Sequence, residues 1–510
     1  MKITFSETAQ KALELIEETS ENLFLTGKAG TGKSTLLDYF RENTEKKVAI
    51  LAPTGVAAVN VHGETIHSFF GLKPNFELEE AKRSGKKPKN PGLYKRLQTI
   101  VIDEISMVRA DLLDAIDIFL QNARENPEPF GGVQMVFIGD LYQLPPVVTR
   151  DDKTSFSLKY NSPFFFAAGV FETGNFHMNF IELDEVYRQS DNDFINILNA
   201  VRNKTVTSEH LSKLNKQVDK FFEPEDDDFI YLVTTNYEAK QINEAKLKEL
   251  EGKELYFEAN VSGKVKKNLF PADDDLYLKV GAQIMFLNND STRRWVNGTI
   301  GKIIEFDEIS ESLTVELTDG NIVDVEPHNW DISKYVLDGT RLKRETIGTF
   351  IQYPLRLAWA ITIHKSQGKT FDKVIIDLGR GSFAHGQTYV ALSRCRTLEG
   401  IVFRKPILKS HVIMDSNVRR FLTDYQCALS EKELSLESKI EFLISAMDKE
   451  KPLKLSYLKA NDERKNYHVQ PLLVDEMEFK GVKFLGMRAQ CLEKNTEITF
   501  CVKRILEILG

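Results

Sequence analysis

Gly27-Lys28-Ala29-Gly30-Thr31-Gly32-Lys33-Ser34 fits the pattern Gly-x-x-x-x-Gly-Lys-Ser at every fixed position. The apolar run before it, residues 23–25, predicts a short buried strand, and residues 35–40 after it predict the start of a helix. Glycines let such a loop curl so that its N–H groups face phosphate oxygens, and the helix N-terminus adds partial positive charge. We therefore expect a bound nucleoside triphosphate contacted by Gly27, Gly30, Thr31, Gly32, Lys33, Ser34 and Thr35.

The length and composition predict several globular domains. With 510 residues, the chain is too long for a single core. Hydrophobic residues make up 42% and charged residues 28%, as in ordinary soluble proteins. No apolar run approaches the ~18 residues that a membrane span needs, and the first residues lack the apolar stretch of a secretion signal. We therefore expect no membrane partner and a cytoplasmic protein of bacterial type that associates with the nucleoid.

The cysteines and the net charge restrict the chemistry. Four scattered cysteines form no Cys-x-x-Cys pair, which favours a reducing compartment and indicates neither zinc nor a disulfide framework. The formal net charge of −8 argues weakly against a nucleic-acid partner. A basic groove can nevertheless lie in an acidic protein, and the acidic clusters at 223–228 and 273–275 inflate the total. Charge therefore leaves nucleic acid open as a partner.

Short apolar runs recur along the chain and predict an α/β fold. Residues 23–25, 48–52, 99–102 and 135–138 are continuous and β-branched, as in a parallel sheet covered on both faces. Polar clusters follow each run, where the carboxyl ends of such strands carry functional residues. A second set of runs lacks a glycine–lysine loop, which predicts a second domain that closes a cleft over the triphosphate: 229–233, 284–287, 355–360, 374–378 and 401–403.

Two carboxylates and two arginines are the candidates for phosphoryl chemistry. Asp103 and Glu104 end the third run, where one carboxylate can hold magnesium and the other can orient the attacking water. An ordinary acidic strand end is the alternative. Phosphoryl transfer also needs positive charge at the γ-phosphate, for which Arg188 and Arg394 are candidates. Taken alone, each arginine is better explained as a salt-bridge partner.

Eight segments in fixed order carry a family resemblance that covers residues 5 to about 420. They are residues 27–34, 52–58, 65–69, 103–107, 139–147, 187–189, 360–368 and 389–394. This ordered set resembles the superfamily-one DNA helicases of the B branch, and within them the Pif-type family. Residues 129–134, Pro-Phe-Gly-Gly-Val-Gln, resemble the stretch that separates Pif-type enzymes from RecD-like relatives.

The resemblance implies a role for each matching residue. Gln143 would sense the γ-phosphate and link it to bound DNA, and Arg188 and Arg394 would be arginine fingers from the second domain. Gln10 matches the glutamine that reads adenine, although residues 5–15 also fit a plain amphipathic helix. The expected catalytic residues are Lys33, Glu104, Gln143, Arg188 and Arg394; the magnesium ligands are Ser34 and Asp103; Gln10 and Gly368 complete the nucleotide site.

The resemblance also implies a DNA track across both domains. Hydroxyls, amides and imidazoles donate to phosphate oxygens without reading sequence. Thr, Asn and His are also frequent helix caps and turn residues, which is the alternative at each position. The expected contacts are Pro53, Thr54, Gly55, Thr65 and His67 on the first domain, and Thr234, Asn236, Thr362, His364 and Lys365 on the second.

The implied fold is α/β, with two RecA-like P-loop domains and inserted elements. The first domain spans 1–165 and carries a wedge insertion at about 72–95, whose basic run at 82–89 either contacts DNA or is a solvated loop. The second domain spans 166–298 and 346–425. Alternating residues in 299–345 predict a small inserted β-barrel. Near it, Arg293, Arg294 and Trp295 would grip the strand, with a structural tryptophan as the alternative.

The tail resembles a WYL domain. Residues 426–450 are predicted to be a charged linker, and residues 451–510 a β-rich accessory domain. Lys483-Phe484-Leu485 replaces the tripeptide for which such domains are named. The alternatives are nucleic-acid or nucleotide binding and plain packing, and the residues to test are Tyr457, Arg464, Arg488 and Arg504.

The combined expectation is an ATP-dependent 5′→3′ DNA helicase that acts on single-stranded DNA and at junctions with duplex. Quadruplex DNA is a further expected substrate, and we expect a monomer in the absence of DNA. DNA repair, recombination and telomere or genome maintenance are the expected roles. One alternative is a single-strand translocase that displaces proteins or folded structures. A nucleotide-switched regulator that binds nucleic acid is another.

Overall fold

The computed structural model describes most of the chain in two compact units. The first unit comprises Met1–Arg202 and Val206–Ile413, and the second comprises Asn203–Thr205 and Met414–Gly510. The described residues are 5–73, 78–86, 88, 90–148, 152–172, 174–189, 191–224, 229–263, 265, 267–338, 341–379, 381–461, 463–479 and 481–509. Parts of the basic run at 82–89 and of the acidic cluster at 223–228 lie outside them.

A parallel sheet forms the core of the first domain. Its strands are buried because they are continuous apolar runs that helices cover on both faces. The strand order is β3-β2-β4-β5-β1-β6. The strands are β1 Asn22–Gly27, β2 Val48–Ala52, β3 Glu64–Thr65, β4 Thr99–Ile102, β5 Gln134–Ile138 and β6 Met178–Leu183.

Strand β6 corrects the predicted boundary between the two domains. The boundary was expected at 165, but β6 pairs in parallel with β1 along its whole length, for example Phe24 with Phe180. The first domain therefore extends to Leu183. The apolar run at 178–183 has no local signal that assigns it to one sheet or the other, because its partner lies more than 150 residues away.

Helices flank the first sheet, and three of those described begin at a polar residue whose side chain caps the helix. Ser6 caps α1, Thr54 caps α3 and Thr65 caps α4, each by accepting a backbone N–H. The helix α2 follows Gly32 directly, so no side chain satisfies its first N–H groups. The helices are α1 Glu7–Glu18, α2 Lys33–Asn43, α3 Gly55–Asn60, α4 Ile66–Phe70, α5 Leu78–Lys86, α6 Pro91–Arg96, α7 Ala110–Arg124, α8 Lys153–Ser157 and α9 Gly169–Glu172.

A strained turn precedes β5. Phe130, Gly131 and Gly132 all adopt positive φ, at 53°, 61° and 72°. The buried Asp117 carboxylate accepts the Phe130 N–H at 2.5 Å, and burial raises the pKa of Asp117 to about 6. A Cβ at Gly131 would lie 2.7 Å from the carbonyl oxygen of Leu120, so this turn packs directly against α7.

The second parallel sheet is smaller than the runs in the sequence suggest. Its order is β18-β7-β19-β20, with β7 Ile230–Val233, β18 Ala360–Thr362, β19 Val374–Asp377 and β20 Ile401–Phe403. The capping box of Thr235 and Glu238 starts α12 directly after β7. The helices are α10 Asn192–Arg202, α11 Ser208–Asn215, α12 Asn236–Glu249 and α13 Gln387–Leu392.

Antiparallel sheets interrupt this second sheet and extend beyond the predicted 299–345. The runs at 284–287 and 355–360 were expected in the parallel sheet, but β11 and β17 pair antiparallel with each other and β11 with β12. A strand buried on both faces looks the same in either sheet type. The strands are β8 Leu255–Glu258, β9 Asn260–Gly263, β10 Asp275–Leu278, β11 Gln283–Phe286, β12 Ile300–Asp307, β13 Ser312–Leu317, β14 Ile322–Val325, β15 His328–Asp338, β16 Arg341–Gln352 and β17 Leu355–Leu357.

The second unit is an antiparallel sheet with two helices. The order is β24-β23-β22-β21-β25, and Leu443 of the second helix packs into its core with Leu455 and Phe500. Residues 426–450 therefore belong to this unit instead of forming a linker. The elements are α14 Ser416–Glu433, α15 Leu436–Asp448, β21 Leu453–Leu458, β22 Arg464–Phe479, β23 Val482–Cys491, β24 Thr496–Cys501 and β25 Ile505–Leu509.

Over the described ranges, none of the helices is both long enough and apolar enough to cross a bilayer.

The turn before β5 yields a stability prediction. Gly131→Ala adds a left-handed strain of about 1 kcal/mol and a clash with the Leu120 backbone, so we expect the melting temperature to fall by about 4 °C or more. Gly71→Ala is the matched control, because Gly71 has a φ of 67° with open space around its Cβ position. Thermal denaturation of both variants compares them. An equal loss in both would contradict the packing argument.

Candidate functional site

A cleft of about 690 Å³ brings the predicted nucleotide residues together. It lies between the carboxyl ends of the first sheet and the segments 366–370 and 387–396 of the second domain. Tyr187 and Arg396, which were not predicted, also line it. The predicted residues in its wall are Gly30, Thr31, Gly32, Lys33, Ser34, Thr35, Glu104, Gln143, Arg188, Gly368 and Arg394.

Lys33 is the charged residue of the phosphate loop. Its ammonium donates to the carbonyl oxygens of Gly27 at 2.7 Å and Lys28 at 2.9 Å. Burial lowers the pKa of Lys33, while the nearby carboxylates of Asp140 and Glu104 favour its charged form. The loop therefore presents a cation beside a helix N-terminus, which is the arrangement that phosphate groups require.

Asp103 and Glu104 follow β4 within reach of this cation. Burial raises the pKa of both carboxyl groups, and each also feels the charge of Lys33. Glu104 adopts a left-handed backbone with φ 49° and ψ 44°, which costs about 1–2 kcal/mol in a residue with a side chain. Strain of this kind clusters at functional sites, where the surrounding fold enforces it.

The donors at this place fit a magnesium ion. The Ser34 hydroxyl and the Asp103 carboxylate are hard oxygen ligands of the type that Mg²⁺ prefers. The charge of neighbouring Glu104 adds to the rise in the pKa of Asp103, and a divalent cation relieves such crowding. Across the described residues, no group of three His, Cys, Asp or Glu could hold a metal. An ion here would therefore take its other ligands from phosphates and water.

Gln367 connects the second domain to Glu104. Its side-chain amide donates to the Glu104 carboxylate at 2.8 Å across 263 residues of sequence. This hydrogen bond fixes the orientation of the carboxylate. Gln367 lies in the 360–368 motif but was not predicted as a site residue, because the sequence offers no distance between these segments.

Arg188 lies against the phosphate loop. The Tyr187 N–H donates to the Gly30 carbonyl at 2.9 Å, and a Cβ at Gly30 would lie 2.4 Å from the Arg188 Cβ. Arg188 also donates to the carbonyls of Ser393 and Gly368 at 3.4 and 3.5 Å, so it lies between the phosphate loop and the second domain. That the second domain supplies it stays a prediction. Because β6 runs parallel to β1, the chain that leaves its carboxyl end passes over the loop that leaves β1.

Arg394 is the arginine that the second domain does supply. It is 1% exposed. It donates to the carbonyls of Val390, Ser366 and Lys369 at 2.9, 3.3 and 3.1 Å, and to the Ser393 hydroxyl at 2.8 Å. Burial lowers the pKa of Arg394, and the neighbouring Arg188 lowers it further. These hydrogen bonds hold the guanidinium in one position at the wall of the cleft.

Tyr389 makes a second contact between the domains. Its hydroxyl oxygen accepts the N–H of Ala29, in the phosphate loop, at 3.0 Å. Tyr389 and Arg394 lie on one short segment, α13 and the turn after it, so the contact sets the position of Arg394 relative to the loop. Tyr389 belongs to the 389–394 motif but was not predicted as a site residue, because its hydroxyl does not distinguish it from its neighbours in the sequence.

The loop at 139–143 is held by the second domain. His385 contacts the Leu141 carbonyl at 2.7 Å. A Cβ at Gly386 would lie 2.4 Å from the carbonyl oxygens of Tyr142 and Gln143, so only glycine allows this approach. Gln143, the predicted sensor, thus stands between the cleft and the second domain.

Gln10 lies outside the lining of the cleft. Its side-chain amide donates to the Phe5 carbonyl at 2.9 Å and is exposed on α1. The neighbouring residues Phe5, Ser6 and Ala9 do line the cleft. The adenine-reading role of Gln10 stays a prediction.

Several threonines of the expected DNA track act as local caps. Thr54 and Thr65 accept the first N–H groups of α3 and α4, Thr362 accepts the Lys365 N–H, and Thr234 donates to Glu238 at 3.1 Å. A capping hydroxyl uses an oxygen lone pair and keeps its O–H as a donor. Thr54 is exposed, whereas Thr65, Thr234 and Thr362 are buried.

The other expected DNA residues differ in exposure. Asn236 and Lys365 are exposed, while His67 and His364 are half-buried, and burial lowers the pKa of both histidines. Both imidazoles are therefore neutral near pH 7 and donate through a single ring N–H. The half-buried Pro53 and Gly55 offer backbone alone at this surface.

Two further cavities contain these residues. Gly55 and Thr65 line a space of about 500 Å³ with Asn297 and Trp330. Asn236, Thr362 and Lys365 line another of about 750 Å³ together with Arg356 and Tyr277. Residues of the expected track thus line cavities on both domains, and their contact with DNA stays a prediction.

Trp295 belongs to the core of the antiparallel sheet. It is 6% exposed, stacks on Phe286 at 4.4 Å between ring centroids, and donates to Asn288. Arg294 covers its ring and pairs with Asp290. The expected grip on DNA bases is not available to a ring buried in this way.

Comparison with known proteins identifies the family. The family model described as PIF1-like helicase matches residues 5–212. The ATP-dependent DNA helicase Pif1 of Bdellovibrio bacteriovorus is 36% identical over 408 residues, 78% of this chain and 88% of the relative. The chain spans less of the zebrafish helicase PIF1, 64% of its length.

Solved structures give the same result. Bacteroides Pif1 in complex with ADP-AlF4 has a TM-score of 0.76 at 39% identity, covering 83% of this chain and 98% of that protein. Bacteroides Pif1 in complex with ADP-AlF3 and single-stranded DNA has a TM-score of 0.60, with the same identity and coverage. With this likeness over nearly the whole length of both bacterial proteins, the chain belongs to the Pif1-like helicase family.

Proposed function

We propose that this chain is an ATP-dependent DNA helicase that moves 5′→3′ on single-stranded DNA and unwinds duplex or structured DNA. The observation that carries the proposal is the cleft in which Lys33 and Glu104 of the first domain meet Gln367 and Arg394 of the second. Catalysis there requires both domains, so closure and hydrolysis are linked. The Bdellovibrio and zebrafish relatives named above are called ATP-dependent DNA helicases. The Bacteroides Pif1 helicase was solved with a nucleotide analogue and single-stranded DNA.

The described side chains divide the work of hydrolysis. Glu104 orients the attacking water, and the Gln367 amide holds its carboxylate in place. Arg394 and Arg188 offset charge on the transferred phosphoryl group. A preorganised, desolvated cation is worth more in this setting than in water, because it does not reorganise during the reaction.

Ser34 and Asp103 would hold magnesium in this site. The ion supplies charge neutralisation at the outer phosphate oxygens. Lys33 reaches the same phosphates by exchanging the loop carbonyls of Gly27 and Lys28 for phosphate oxygens. Lys33 is the first residue of α2, so its ammonium and the positive N-terminus of the helix lie on the same side of the triphosphate.

Coupling between DNA and ATP runs through the segment 360–368. Lys365 is exposed at the expected track, and Gln367, two residues later, bonds Glu104. A shift of this segment when Lys365 or His364 contacts a phosphate therefore reaches the water-orienting carboxylate. Hydrolysis then reverses closure, and the domains grip the strand alternately.

The proposal extends to substrates and setting. Single-stranded DNA and its junctions with duplex are the substrates, with quadruplex DNA as a structured one, and the protein is monomeric without DNA. DNA repair, recombination and genome or telomere maintenance at the nucleoid of the cytoplasm are the corresponding roles. The single-strand translocase with poor unwinding is the second candidate, since the cleft itself does not distinguish it.

The inserted and terminal elements have accessory roles in this proposal. Helix α5, within the predicted wedge, packs closely on α7, because a Cβ at Gly85 would lie 2.6 Å from the Phe119 carbonyl. This rigid support suits a strand-separating element. The antiparallel sheets at 283–357 serve as the inserted barrel that guides the strand.

The tail is proposed to be a WYL-like module that contacts nucleic acid. Three of the four residues singled out in the sequence have structural contacts. Tyr457 accepts the Cys501 N–H, Arg464 pairs with Glu507, and Arg504 donates to the Leu458 and Lys459 carbonyls. Arg488 is exposed on β23, and it is the residue best placed to meet a phosphate.

The role of Glu104 can be tested by an isosteric change. We expect Glu104→Gln to lower DNA-stimulated ATP hydrolysis by about 10²–10⁴-fold while ATP still binds, because an amide cannot accept the proton of the water. Lys33→Ala should lose turnover together with ATP affinity. Glu125→Gln is the control, since Glu125 also has a left-handed backbone but is exposed and remote from the cleft. Steady-state ATPase assays and nucleotide titration measure both quantities. Hydrolysis by Glu104→Gln at a tenth of the native rate or more would overturn its role.

Direction can be tested by strand displacement. We expect ATP-dependent unwinding of a duplex with a 5′ single-stranded tail and little with a 3′ tail or a blunt end. Unwinding of the 3′-tailed duplex alone would reverse the polarity. ATP-driven removal of a protein from single strands without unwinding of either duplex would favour the translocase.

The tail proposal can be tested with one charge. We expect Arg488→Ala to weaken single-stranded DNA binding and to reduce the slope of log affinity against log salt by about 1. Arg419→Ala removes the same charge from an exposed place on α14 and should leave the slope unchanged. Equal slopes for native protein and Arg488→Ala would assign the tail to packing.

A further inference from the structure

A buried arginine lies beneath the loop that carries Gln143. Arg202 ends α10 and is 6% exposed. Its Nη2 donates to Asp140 at 3.2 Å and to Glu182 at 3.4 Å, and its guanidinium lies 4.1 Å from the centre of the Tyr142 ring. One side chain thus joins α10, the end of β6 and the 139–143 loop.

The Asp140 carboxylate is the centre of this cluster. It is 1% exposed, and the oxygen that accepts Arg202 also accepts the Tyr142 N–H at 3.1 Å. Its other oxygen has no hydrogen-bond partner among the described residues. A buried carboxylate with so few partners depends on Arg202 for its charge balance. The same carboxylate is the largest favourable charge acting on Lys33.

The loop is held from two sides as a result. Arg202 of α10 holds it through Asp140 and Tyr142, and His385 and Gly386 hold it from the segment before α13. Both sets of contacts fix the loop that carries Gln143.

We propose that Arg202 is a positioning residue that holds Gln143 in register with the triphosphate. It does not contact the reacting atoms. The inference rests on the proposed ATPase function. Lysine cannot replace it, because an ammonium group lacks the planar guanidinium that lies over the Tyr142 ring while its Nη2 reaches both carboxylates.

The test uses the full chain and compares Arg202→Lys with Arg124→Lys. Arg124 is the matched control: it donates to the Gly131 and Leu97 carbonyls and supports the first domain away from the cleft. We expect Arg202→Lys to lower kcat of DNA-stimulated ATP hydrolysis by about 10–100-fold, with KM for ATP changed far less. Arg124→Lys should lower thermal stability to a similar degree and leave kcat close to native.

A double-mutant cycle with Gln143→Ala tests whether Arg202 acts on hydrolysis through Gln143. If Arg202 acts through Gln143, Arg202→Lys has little further effect in the Gln143→Ala background. Multiplicative losses in the double variant, or equal kcat for Arg202→Lys and Arg124→Lys, would overturn the proposal. Native protein without DNA-stimulated hydrolysis would instead refute the proposed function, so the two failures are distinguishable. If Arg202→Lys does not fold, Tyr142→Leu, which removes the ring beneath the Arg202 guanidinium, must also lower kcat.

Discussion

The triphosphate cleft depends on the close approach of the phosphate loop and the segment 187–189. Gly30 makes this approach possible, because any side chain there would overlap Arg188. The Tyr187 N–H closes the contact on the Gly30 carbonyl, and the Gln189 amide extends it to the carbonyls of Ser393 and Cys395. One continuous series of contacts therefore runs from the loop to the second domain.

Buried charges in this cleft are balanced in pairs and clusters. Lys33 faces Asp140 and Glu104, and Arg202 faces Asp140 and Glu182. Taking such groups out of water is costly, and the fold retains them only where opposite charges and hydrogen bonds compensate. The same desolvation strengthens every electrostatic interaction with a triphosphate. The contacts that balance these buried charges in the folded protein are thus the same contacts that would act on the triphosphate.

The surface expected to hold DNA combines folding and binding roles. Thr54 and Thr65 each start a helix with the hydroxyl oxygen, and a neutral imidazole at His67 adds a single donor. Capping leaves the O–H free but fixes its direction. A threonine at these positions can therefore both cap a helix and contact DNA, which were the two alternatives considered from the sequence. Thr54 is exposed and Thr65 is buried, so Thr54 is the better placed of the two for a DNA contact.

The residue sequence by itself determined the phosphate loop, the carboxylates after β4 and the family. Each of these patterns is complete within a few residues, where backbone geometry and chemistry are local. Tertiary structure alone decided that β6 joins the first sheet, that β11 and β17 leave the second, and that Gln367 and Arg202 meet partners 263 and 62 residues away. Strand pairing and side-chain contacts over such separations depend on the packing of whole domains, which no short stretch of residues encodes.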